Sequence, residues 1–169
     1  MEDRNRLMRG GNMSVDSSVR TGRVVGAGRR PTAPAASAML IAGAALLLTS
    51  AAIHLHLWAD GYRSIVTIGP LFFAQGVLGI FLGLLVALIR RIFVALVAAL
   101  FALGTIVGLL LASHGGIFGY KTTMSAPWAQ TTLEVEIAAV VLLCAGGAVA
   151  VWAERAHVRR WRSQKSATR

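Results

Sequence analysis

Four residues whose side chains can bind metals or protons stand beside apolar segments of the sequence: His54, His56, His114 and Glu136. Histidine nitrogens and carboxylate oxygens ligate divalent metals, and histidines from two helices hold haem iron inside some four-helix bundles. The same groups also accept and release protons. One hypothesis is therefore that His114, Glu136 and a histidine of the first pair converge on a haem, a divalent metal or a proton.

A second interpretation needs no cofactor. His54 and His56 differ by about 200° around a helix, so only one of them can face a bundle interior, and the sequence does not say which. Acids favour helix N-termini because of the helix dipole, which accounts for Glu134 and Glu136. The spacing matches no established metal motif, and no nucleotide loop or Ser/His/Asp arrangement is present, so we assign no catalytic residue. The absence of any cofactor is favoured, with haem or a divalent metal as alternatives.

Four long apolar segments must position these residues. Hydrophobic residues make up 56% of the chain and charged residues 14%, against about 45–50% and about 25% in soluble domains. Segments at about 38–58, 70–89, 92–113 and 133–152 each approach the roughly 20 residues that a helix needs to cross hydrocarbon. We predict an all-α fold, a four-helix transmembrane bundle over residues 36–153. A disordered N-terminal tail (1–35) precedes it and a basic C-terminal tail (154–169) follows it.

The distribution of arginines predicts the orientation. Arg90 and Arg91 interrupt an apolar run, and because burying them at the bilayer centre would cost several kcal/mol, they mark a hairpin at a membrane surface. All but two of the 17 lysines and arginines lie in this hairpin or the two tails. Those nearest the spans are Arg29, Arg30, Arg90, Arg91, Arg155, Arg159 and Arg160. The positive-inside rule predicts a multi-pass plasma-membrane protein with both termini cytoplasmic. Anionic lipid headgroups, rather than nucleic acid, are the expected partners of the basic residues.

Small residues predict close packing of the second and third helices. The residues concerned are Gln75, Gly76, Gly79, Gly83, Gly104 and Gly108, which include two GxxxG motifs. Packing within the bundle is favoured, because an Ala/Gly-rich sequence often produces this motif by chance. A homodimer or a membrane-protein partner is the alternative. Gln75 is expected to link two helices through its polar side chain.

The first apolar segment has a second interpretation as a secretory signal peptide, since a basic tail precedes it and LTSAAIHL offers small residues near a cleavage point. The segment is long for such a peptide, and Trp58 at its end is placed as an interfacial anchor. An uncleaved transmembrane helix is therefore favoured.

Two segments, HLHLWADGYRSIVTIGPLFFAQG (54–76) and GIFGY (116–120), carry a resemblance. They resemble the segments between spans in small, functionally uncharacterised four-span membrane proteins of high-GC bacteria. The resemblance covers the transmembrane part and implies an architecture without an activity. It also marks His54, Tyr62, Arg63 and Gly69 as one feature of the outer surface.

These observations favour a non-enzymatic accessory or structural membrane subunit. The alternative is a small haem- or metal-binding redox membrane protein that uses the outer histidines. A weaker alternative is a small transporter, with Gln75, His114 and Glu136 lining its path.

Overall fold

Four α-helices account for most of the chain in a computed structural model that describes residues 34–167, with side chains except at 160–162, 165 and 167. They are α1 (Pro34–Ala59), α2 (Ile68–Ile89), α3 (Ile92–His114) and α4 (Ala129–Ala167), with one 3₁₀ turn at Tyr62–Ser64. The all-α four-helix prediction is confirmed, and all four helices are long and apolar enough to cross a membrane. The predicted disordered tail lies outside the described residues, except for its last two positions, which belong to α1.

Helix α1 is the central element of the bundle. It packs along both α2 and α4, and α3 packs mainly on α4, whereas α2 and α3 make few contacts with each other. The connections 60–67 and 115–128 meet at one end, which we call the loop end. Arg90 and Arg91 join α2 to α3 at the opposite end, the hairpin end. The two weakly packed helices therefore leave a gap on one side of the bundle.

Alanines share the buried interior with a few leucines, and many large apolar side chains face outward. Alanines such as Ala98 and Ala102 are buried between helices, while Phe81, Phe93 and Leu100 are exposed on the outside. Lipid tails are as apolar as leucine, so membrane helices gain most from close backbone approach through small residues. The exposed apolar surface of α2 and α3 is the surface expected of helices that contact lipid.

The hairpin between α2 and α3 turns without glycine or proline. Arg90 adopts a left-handed conformation (φ 50°, ψ 38°), and Arg91 is extended. The Arg90 side chain donates from Nε to the carbonyl of Ala87 (3.0 Å). A left-handed conformation costs a non-glycine residue roughly 1–2 kcal/mol, and the hydrogen bonds of Arg90 to the last turn of α2 offset part of this cost.

Helix α4 is much longer than a membrane span. Its 39 residues extend about 58 Å, against a hydrocarbon thickness of about 30 Å. The predicted C-terminal tail is helical up to Ala167. The helix begins four residues before the predicted start at Leu133, which places Thr132 inside its first turns.

Gly69, in the first turn of α2, allows the 3₁₀ turn to lie directly on the helix. A Cβ atom at this position would sit 2.7 Å from the Arg63 carbonyl oxygen and 2.8 Å from that of Tyr62. Because backbone atoms cannot move away as a flexible side chain can, we expect Gly69→Ala to lower the free energy of unfolding by about 2 kcal/mol. Thermal unfolding in mild detergent measures the effect. Gly115→Ala is the control, since a Cβ there meets nothing within 4 Å, and equal melting temperatures for the two variants would contradict the prediction.

Candidate functional site

A cavity of about 410 Å³ lies in the gap between α2 and α3. It extends from the loop end to the middle of both helices, and the first turns of α4 form its back wall. Most of the lining is apolar or aromatic, including Phe72, Phe101 and Phe118. Leu71 and Leu78 line the cavity and are also exposed on the outer surface of α2, so the cavity lies next to the lipid-facing surface.

Glu136 is the most deeply buried polar residue on the cavity wall, with only 1% of its surface exposed. Its Oε1 accepts a hydrogen bond from Ser50 Oγ of α1 (2.9 Å) and a longer one from Gln75 Nε2 of α2 (3.4 Å). The hydroxyl of Thr105 on α3, which donates to the Ala102 carbonyl, lines the same wall. All of these neighbours are neutral.

His54 joins this group through Ser50. Its Nδ1 lies 2.8 Å from the Ser50 carbonyl oxygen, which can only accept, so Nδ1 carries a proton. The Ser50 hydroxyl lies 3.5 Å from the same nitrogen. The ring packs at a tilt against Phe72, with centroids 5.3 Å apart. Ser50 thus bridges an inward-facing histidine and a buried carboxyl group.

Two oxygen atoms at the site are buried without a hydrogen-bond partner among residues 34–167. They are Glu136 Oε2 and Thr132 Oγ1, which lie one helical turn apart on α4 and belong to residues lining the cavity. A buried polar group without a partner costs roughly 1–3 kcal/mol. Both atoms therefore have unused hydrogen-bonding capacity, and because each is covered in this conformation, a side-chain rotation must bring it to the cavity before a ligand can contact it.

The other predicted ligands do not join the site. His56 is exposed, with its ring edge against Trp128, and His114 is exposed, with Nδ1 bonded to the Leu110 carbonyl of its own helix (2.9 Å). Neither residue lines the cavity. No three His, Cys, Asp or Glu residues within 34–167 are grouped closely enough to hold a metal ion. Of the four proposed ligands, the structure brings together only His54 and Glu136.

The predicted packing glycines have two different environments. Cβ atoms at Gly76, Gly79 and Gly83 would contact Leu55, Ala51 and Leu48 of α1, so these glycines lie at the α1–α2 contact. Cβ atoms at Gly104 and Gly108 would meet nothing within 4 Å, and both residues line the cavity. No helix of the described chain packs on this face of α3, and the expected packing there is not found.

Two tyrosines cover the cavity at the loop end. The hydroxyls of Tyr62 and Tyr120 share a hydrogen bond (3.3 Å), and Tyr62 stacks on Phe72 with ring centroids 5.0 Å apart. This hydrogen bond and partial burial raise the pKa of Tyr62 to about 12. Tyr62 is therefore a neutral phenol at physiological pH.

Absorbance titration tests this tyrosine contact, because the chain has only two tyrosines. In Tyr120→Phe only Tyr62 ionises, and we expect its pKa to fall from about 12 towards the ordinary value near 10. Since the folded-state pKa is raised, the contact stabilises the fold below pH about 10, and this contribution is lost as the pH rises to about 12. An unchanged Tyr62 transition in Tyr120→Phe would show that the two phenols do not interact.

Sequence reasoning missed Thr132 as a residue of the site. Its spacing of four from Glu136 places both on one helix face, and that spacing is the signal that could have found it. Ser50 is also absent from the predicted site.

Comparisons with known protein families, curated proteins and solved structures find no significant match. The functional conclusion therefore depends on the geometry of the site.

Proposed function

We propose that this integral membrane protein binds a small, largely apolar molecule in the cavity between α2 and α3, with a hydroxyl or amino group of the ligand hydrogen-bonded to Glu136 and Thr132. The observation that carries the proposal is the pair of buried oxygens without partners in two residues that line the cavity. A ligand group that forms hydrogen bonds with both residues would remove the cost of leaving them unsatisfied.

The size and lining of the cavity support an apolar ligand. Its volume of about 410 Å³ falls within the roughly 300–1,000 Å³ of small-molecule pockets. Aromatic and aliphatic side chains surround a few polar groups, which is the usual composition of such sites. The gap between α2 and α3 gives a ligand dissolved in the bilayer a direct route to the cavity.

An accessory-subunit function receives less support. That hypothesis places a partner on the glycine faces, but α1 covers Gly76, Gly79 and Gly83, and the uncovered Gly104 and Gly108 line the cavity. The haem or metal alternative receives less support because His56 and His114 do not lie beside Glu136. For the small-transporter alternative, Gln75 and Glu136 line the same cavity, but His114 does not.

Calorimetric titration in lipid nanodiscs tests ligand binding with 4-phenylbutan-1-ol, which joins an apolar body to a hydroxyl donor. Empty nanodiscs correct for partition into lipid. We expect saturable binding that weakens about 5- to 10-fold in Thr132→Val, as expected for the loss of one hydrogen bond. Thr131→Val is the matched control, because Thr131 is exposed and does not line the cavity. Heats equal to those of empty nanodiscs would overturn the proposal.

We also propose that the loop end faces the outside of a bacterial plasma membrane and the hairpin end the cytoplasm. The asymmetry of basic residues supports this orientation. In a Cys144→Ser background, a cysteine at Ser125 should react with a membrane-impermeant maleimide in intact cells. A cysteine at Ser166 should react only after permeabilisation. The opposite labelling pattern would reverse the topology.

A further inference from the structure

We infer that the ligand of this cavity is a lipophilic organic amine, bound as a cation by the Glu136 carboxylate, and that it binds in exchange for the proton this carboxyl group otherwise carries. The inference rests on the ligand-binding function proposed above and specifies its ligand class.

The charge environment of Glu136 is the first argument. Its hydrogen-bonding neighbours Ser50, Gln75 and Thr105 are neutral, and no lysine or arginine is among the described residues that line the cavity. An ionised carboxylate buried without a cationic partner costs several kcal/mol. A positive charge must therefore accompany it, either as a proton on the carboxyl group or as a cation in the cavity. Oε2, which has no protein partner, is the atom available to either.

The cavity wall favours an organic cation over a metal ion. A hard metal ion needs about six oxygen ligands, whereas the cavity surrounds one carboxyl group with mostly apolar side chains. The aromatic and aliphatic lining instead suits the apolar body of an organic cation. Thr132 Oγ1, one turn from Glu136, can accept a second N–H of the ammonium group.

The amine exchanges with a proton because both bind at the same atom, Glu136 Oε2. The cation enters as R–NH₃⁺, the carboxyl group releases H⁺ to solvent, and the net charge of the site does not change. The other titratable groups that face the cavity are His54 from α1 and the two tyrosines from the connections. Tyr62 stays neutral because its pKa is about 12. His54 is the one remaining group whose protonation would also weaken cation binding, so its effect must be measured separately.

The test compares three ligands with one apolar body in nanodiscs: 4-phenylbutylamine, its trimethylammonium analogue and 4-phenylbutan-1-ol. Titrations at pH 5.5, 7.0 and 8.5, in buffers of different ionisation enthalpy, give the affinity and the number of protons released. An alkylamine has a pKa of about 10.4 and stays cationic throughout. Any pH dependence therefore belongs to the protein.

We expect the amine to bind at least tenfold more tightly at pH 8.5 than at pH 5.5, with up to one proton released per amine. The trimethylammonium analogue should show the same pH dependence with weaker binding, because it has no N–H donor. The alcohol should bind independently of pH. Glu136→Gln should remove the pH dependence and weaken amine binding at least 30-fold while the alcohol still binds, which also shows that the variant is folded. If Glu136→Gln does not fold, the wild-type protein still tests the inference, because its affinity for the amine should depend on pH and its affinity for the alcohol should not.

Two controls separate the roles of the titratable groups. Glu134→Gln, at an exposed carboxyl group two residues away, should leave all three affinities unchanged. His54→Asn keeps a donor near the Ser50 carbonyl and should preserve proton release on amine binding. Loss of proton release in His54→Asn would assign the exchange to His54 and overturn the inference.

The remaining outcomes distinguish the two proposals. Equal, pH-independent binding of amine and alcohol would overturn the cation inference and leave the ligand-binding function standing. Failure of all three ligands to bind would overturn both.

Discussion

Replacing Gly83 with leucine is expected to break the packing between α1 and α2. A Cβ at this position would already lie 3.0 Å from Leu48 Cδ2 and 3.2 Å from the Ala44 carbonyl oxygen. The rest of a leucine side chain would have to displace α1, the central helix of the bundle. Overpacking of a tight core typically costs 1–3 kcal/mol and occasionally more, so we expect a loss of about 3 kcal/mol in the free energy of unfolding. Thermal unfolding and gel filtration in mild detergent measure the loss.

Gly104→Leu is the matched control for this prediction. It makes the same change in the other GxxxG motif, but a Cβ at Gly104 meets no atom within 4 Å. We expect its melting temperature to stay close to that of the wild type. If Gly83→Leu instead kept the wild-type melting temperature and changed only the oligomeric state, then Gly83 would lie between chains and the described α1–α2 contact would be wrong.

The four helices could be predicted from the sequence because hydropathy and length directly determine which segments cross a membrane. The break at Arg90 and Arg91 was equally predictable, since two charges cannot remain in hydrocarbon. Helix ends were harder to place. The left-handed Arg90 has no glycine signal, and α4 continues through a polar, basic segment whose composition alone does not distinguish helix from tail.

The site was only partly predictable. Helical periodicity showed that just one of His54 and His56 could face inward, but the choice depends on how α1 is rotated against α2 and α4. That rotation places Ser50 against Glu136, a contact between residues 86 positions apart that no local pattern reveals. The two GxxxG motifs look alike in the sequence, so it could not be predicted that the one in α2 packs on α1 while the one in α3 lines a cavity.

Gly108→Leu is expected to weaken ligand binding about 100-fold without unfolding the protein. Gly108 lines the cavity, and the space around its Cβ position is open, so a leucine side chain would extend into the volume that the ligand needs. A side chain of this size in the binding volume should make the binding free energy less favourable by about 3 kcal/mol. This change is a loss of affinity of about 100-fold for 4-phenylbutan-1-ol. Titration in nanodiscs measures the affinity, and thermal unfolding should give an unchanged or slightly higher melting temperature.

Val107→Leu is the control for this substitution, because Val107 is the neighbouring residue on α3, is exposed and does not line the cavity. It should bind the alcohol as the wild type does. A Gly108→Leu variant that kept wild-type affinity would place the bound molecule elsewhere on the protein, because the ligand and the new side chain cannot occupy the same volume. Loss of binding in Gly108→Leu alone would instead locate the ligand between α2 and α3, beside the buried oxygens of α4.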